Sequence, residues 1–120
     1  MEKPSGLDEL CEADALSQVV FVQDYIQLVF QNYRLSIYNR VRISRDESRW
    51  DESTPGFCDE LRRLIGQRAT HTSYARGDAF AVMFEDRTTV AISLKPEDAT
   101  IVEAFELVND QGLWILEQNE

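Results

Sequence analysis

The sequence predicts an α+β domain on a mainly antiparallel sheet, built from two similar helix–hairpin units and a C-terminal hairpin. Three observations carry this. "DYIQLVFQNYRLSIYN", from Asp24 to Asn39, is nearly rewritten 54 residues later as "DAFAVMFEDRTTVAISL", from Asp78 to Leu94. An apolar stripe at helical spacing precedes each copy. A third pair of short apolar runs brackets "NDQG" near the end.

The first helical segment is "SGLDELCEADALSQ", with Ser5 as N-cap and Leu7, Leu10, Cys11 and Ala15 on one side. The first hairpin follows. Ile26, Leu28 and Phe30 alternate with Tyr25, Gln27 and Val29, and period two means strand. After "QNYR" the chain returns through Leu35 and Ile37. "RVRISRDESRWDESTPG", Arg40 to Gly56, comes next and has no counterpart in the repeat. Arg40 and Arg42 should share a face opposite Val41 and Ile43.

"STPGFCDELRRLIG" is the strongest helix signal: Thr54 as N-cap, Pro55 in the first turn, Gly66 past the end. Phe57, Leu61, Leu64 and Ile65 make its apolar stripe. In the second hairpin Phe80, Val82 and Phe84 alternate with Ala79, Ala81 and Met83, and Val90, Ile92 and Leu94 return. Pro96 ends that strand. Ala104–Val108 and Leu113–Leu116 form the last hairpin, with Phe105, Leu107, Trp114 and Leu116 facing inward. Leu7, Leu10, Ala15 and Asp24 match Leu61, Leu64, Ala69 and Asp78, so residues 7–39 and 61–94 read as an internal repeat within one domain, 1–120.

A chain of 120 residues buries one core, and an apolar fraction of 43% suits a folded globular protein. No apolar run reaches the roughly 20 residues of a membrane helix, and the N-terminus shows no secretory h-region. Two cysteines, Cys11 and Cys58, point to a reduced, cytoplasmic life. The net charge of −10 argues against nucleic acid as a partner. After Lys95 there are seven acids and no base.

The chemistry-bearing residues converge on no motif. His71 in "RATHTSY" reads as a surface histidine on an edge strand, and no spacing suits a metal. Cys58 near a helix start, with His71, is the one cysteine–histidine pair to consider. Asp59 and Glu60 oppose a thiolate there, and both cysteines read as buried and structural. Asp24 and Asp78 would meet only if the repeat brings them together. No phosphate loop or nucleophile elbow is present, so neither an enzyme active site nor a cofactor is predicted.

"LRRLIGQRAT", "DAFAVMFEDRTTVAISL" and "EAFELVNDQGLWIL" together resemble a family of small bacterial proteins classed as a domain of unknown function. The resemblance covers Leu61 to Leu116 and implies a fold, not an activity. In that family a glycine follows Phe-x-Asp; here Arg87 takes its place, which favours a longer loop over a tight type I′ turn.

Two function classes follow. The first is an acidic interaction protein, such as an immunity protein or inhibitor, docking a basic protein; Arg49, Trp50, Glu103, Glu106 and Asp110 are its candidate contacts. A homodimer stays open and a membrane does not. The second is a small enzyme or ligand-binding domain with a pocket between the repeats, using Asp24, Asp78 or Cys58.

Overall fold

The computed structural model describes residues 6–120. Among these residues ten strands form two five-stranded antiparallel sheets. In the first, β1 (Leu16–Val22), β2 (Tyr25–Phe30) and β3 (Tyr33–Ile37) are joined by β9 (Glu103–Asn109) and β10 (Trp114–Gln118). In the second, β6 (Ala69–Ala75), β7 (Ala79–Phe84) and β8 (Thr89–Ser93) are joined by β4 (Val41–Arg45) and β5 (Ser48–Asp51). Each half of the chain thus sends its last hairpin to the sheet of the other half. The stretch around Trp50, which shows no repeat in sequence, occupies the place that the C-terminal hairpin takes opposite it.

Half of the chain is strand and 13% helix, so α+β describes it only loosely. The helical pieces are a 3-10 helix, Leu7–Glu12, the single-turn Pro96–Asp98, and α1 (Phe57–Arg62). Leu7 and Leu10 are buried, as are Phe57, Leu61 and Leu64. Ser5, the expected first N-cap, lies outside the described residues. Thr54 does not cap α1; Gly56 does, at φ 91°. The reason is local. The Thr54 hydroxyl accepts the Asp51 N–H (3.0 Å) and donates to the Asp51 carboxylate (3.1 Å), closing the end of β5. Only a residue without Cβ then turns the chain cheaply into the helix.

The two hairpins repeat in detail. Leu16 opposes Phe30 and Ala69 opposes Phe84, and each edge strand is then irregular at one residue, Ser17 or Thr70. Both irregular residues donate their hydroxyl to the facing strand, Ser17 to the Val29 carbonyl at 2.9 Å and Thr70 to that of Met83 at 3.2 Å. The turns differ. Val22 pairs with Tyr25 across Gln23–Asp24, whereas Ala75 pairs with Ala79 across Arg76–Gly77–Asp78. Phe30 pairs with Tyr33, but the Phe84 N–H reaches the Thr88 carbonyl around Glu85–Asp86–Arg87. Arg87 sits at φ 72°, the left-handed position that a three-residue loop needs.

The core lies between the sheets. Leu28, Phe30 and Leu35 from one meet Phe80, Val82 and Phe84 from the other, all essentially sealed from water. The Phe80 and Phe105 rings stack 4.8 Å apart. Burying a phenylalanine or leucine contributes about 1.5–3 kcal/mol, so this layer dominates stability. Polar links fasten the margins: Tyr74 of β6 donates to Glu117 of β10, and burial with that carboxylate pushes the Tyr74 phenol up to about 12. Among the described residues no helix is long and apolar enough to cross a membrane.

Candidate recognition surface

The second sheet turns small residues outward. Ala79 and Ala81, the latter paired with both Ala91 and Ser73, lie opposite in parity to the buried Phe80, Val82 and Ile92. The outer face of the first sheet is different. Its first row runs Val29, Arg34, Val108, Trp114 across four strands. The next runs Val20, Gln27, Ser36, Glu106, Leu116. Tyr25 and Tyr38 close the far end, ring centroids 5.4 Å apart and tilted by 50°. This face is apolar and aromatic at both ends and polar in the middle.

Trp114 is 65% exposed, the most exposed large apolar residue described. Its indole N–H donates to Glu106 at 2.5 Å, which restrains the ring. Gln27 donates to the Ser36 hydroxyl at 3.1 Å, so the polar middle is satisfied within the sheet. Burial raises the Tyr38 phenol, and the Glu106 carboxylate adds to the rise.

Beyond the tyrosines the face runs into a groove of about 650 Å³. Tyr25, Ile26, Ile37 and Tyr38 line it from the sheet, Asp24 and Val22 from the β1–β2 turn. Arg40, Glu52 and Ile101 close the other side. Val22 and Ile101 are exposed.

The five sequence-derived contacts do not form one patch. Trp50 lies on β5 paired with Ile43, half-buried against the core. The Arg45 guanidinium covers its ring at 5.2 Å. It is a lid on the core. Arg49 is exposed beside it, opposite Ser44, on the second sheet. Glu103, Glu106 and Asp110 belong to the other sheet and its last turn. Glu106 does face outward, but it is half-covered and bonded to Trp114.

Trp114 itself was expected inside, and the register reverses this: Ile115 is buried opposite Leu107, so Trp114 and Leu116 point out. "LWIL" is apolar without alternation, so its parity cannot be read from the strand alone. Cys58 is another reversal, exposed rather than buried, because Phe57 and Leu61 take the inner face of α1. Neither cysteine is in a disulfide.

His71 is exposed on edge strand β6, 3.3 Å from the Thr70 hydroxyl. Asp24 lines the groove, while the Asp78 carboxylate lies 3.9 Å from Lys95 on the other sheet. Among the described residues no three metal-ligating side chains cluster. No family model matches the chain, and no curated protein or solved structure shows significant similarity to it.

Proposed function

We propose that the protein is an acidic protein–protein interaction module that docks a basic partner on the outer face of its first sheet, in the manner of an immunity protein or an inhibitor. One observation carries the reading: Trp114, 65% exposed on the outer face of the first sheet, is bonded to Glu106. A large ring kept rigid in water gives up little entropy on binding, and tryptophan is among the residues that dominate interface energies. The charge supports the same class of partner. Seven acids and no base follow Lys95, and one of them, Glu106, accepts the Trp114 indole N–H.

The contrast between the faces supplies the test. A partner purified from the native source should lose affinity at least tenfold on Trp114→Ala, a usual cost for a central interface residue. Ala81→Ser, on the outer face of the second sheet, should leave affinity unchanged. Equal effects from both substitutions, or from neither, would remove the first-sheet face from consideration.

The resemblance to a domain of unknown function in Leu61–Leu116 fits this reading and adds no activity to it. A ligand pocket shared by Asp24, Asp78 and Cys58 has less support, since only Asp24 lines the large groove.

A further inference from the structure

We infer that the groove at the tyrosine end of the face is a receptor for one lysine or arginine side chain of the bound polypeptide. This deepens the proposed function and rests on it for the identity of the occupant.

The lining has the parts such a side chain needs. The Tyr25 and Tyr38 rings, 5.4 Å apart and inclined at 50°, offer π-surface to a cation from two directions. Ile26, Ile37, Val22 and Ile101 provide apolar wall for the methylene stem. Two acidic residues contribute to the lining, Asp24 on the β1–β2 turn and Glu52 after β5. Glu52 is held there by the Val41 N–H, which donates to its Oε2 at 2.9 Å.

Arg40 is the one base in the lining, and its guanidinium lies 3.7 Å from Asp98 outside it. Asp98 partly offsets Arg40, and the two acids of the lining outnumber its base. An anionic or purely apolar occupant would leave both acids facing the wrong chemistry. A volume of about 650 Å³ leaves ample room for one such side chain. Tyr25, which lines the groove, also stands on the outer face of the first sheet, the face that carries Trp114.

The experiment needs no partner. The full chain is titrated with N-acetyl-lysine amide, N-acetyl-arginine amide and the uncharged N-acetyl-norleucine amide, and the ring protons of Tyr25 and Tyr38 are followed by NMR. Both cationic probes should shift these signals saturably, and norleucine amide should not. Tyr38→Leu should weaken the effect about two- to fivefold, the usual share of an exposed cation–π contact. Asp24→Asn, a turn substitution that leaves the core alone, should weaken it as well. Absent shifts, equal shifts from norleucine amide, or shifts confined to carboxylates elsewhere would each overturn the site. Failure here leaves the Trp114 test standing, and failure of that test leaves these shifts interpretable.

Discussion

The rings of Phe30 and Phe84 stack 6.2 Å apart, nearly parallel at 9°, where the two sheets meet. Each is the last residue of the middle strand of its hairpin, each opposes the residue before a bulge, and neither touches water. The two halves of the chain therefore meet through the same residue in the same setting. Since each half also lends its last hairpin to the other sheet, a defect at this contact should loosen both sheets together.

Phe84→Ala should destabilise the protein by about 3–5 kcal/mol in urea unfolding, and Phe30→Ala by a similar amount. The double variant should cost less than the sum, because the second truncation removes a ring whose partner is already gone. Strict additivity would show that the stacking contributes nothing beyond separate burial.

Arg87→Gly should raise stability by about 0.5–1 kcal/mol. A side chain at φ 72° carries a steric penalty that glycine lacks, about 1–2 kcal/mol, partly offset by the freer unfolded chain. Its side chain is exposed, so little packing is lost. A destabilised variant would mean that Arg87 makes a contact worth more than the strain.

Period two made the hairpins legible, and Leu28, Phe30, Val82 and Phe84 lie inside as their alternation requires. The crossing of β4–β5 and β9–β10 was not legible. Trp50 and Ile115 fill corresponding places, opposite Ile43 and Leu107, yet share nothing but bulk. Sheet partners far apart in sequence leave no local mark. The outward position of Trp114 was missed for a related reason: it lies in an apolar run whose parity is fixed only by pairing with Val108. Tyr25 and Tyr38 sit at strand margins, where a tyrosine reads equally as core or surface.

Cys58 should react quickly with a thiol reagent in the native protein, and Cys11, half-buried on the 3-10 helix, more slowly. This reverses what the helical stripe suggests. Two equally slow thiols, both released only on unfolding, would place Cys58 back in the core.

Glu60 should make stability fall in acid. Burial raises its pKa, but hydrogen bonds from Arg45 (2.6 Å) and Arg63 (2.7 Å) outweigh that and leave it below the ordinary carboxylate value. A carboxyl depressed in the folded state stabilises above its unfolded pKa, and that contribution is lost as pH falls through the folded value. Glu60→Gln should therefore cost about 1–3 kcal/mol near pH 7. The gap to the parent should close below the usual carboxylate range. A gap independent of pH would assign the loss to packing. Arg45 also covers Trp50, so Glu60→Gln should disturb the tryptophan fluorescence.

Binding kinetics should separate the two tryptophans. Trp114 is exposed on the proposed docking face, so Trp114→Ala should speed dissociation from a partner while leaving unfolding nearly unchanged. Trp50 closes the core under Arg45, so Trp50→Ala should lower stability first and affect binding only through that loss. Charge acts on the other rate. Glu106→Lys with Asp110→Lys should slow association most at low salt, since exposed charges are screened over about 8 Å at physiological ionic strength. Glu106→Lys also releases the Trp114 indole, so it should raise dissociation slightly, whereas Asp110→Lys alone should not. Asp110, exposed in the last turn, isolates the electrostatic effect. An association rate with the charge-reversed protein that matches the parent at low salt would end the acidic-face model, whatever Trp114 does.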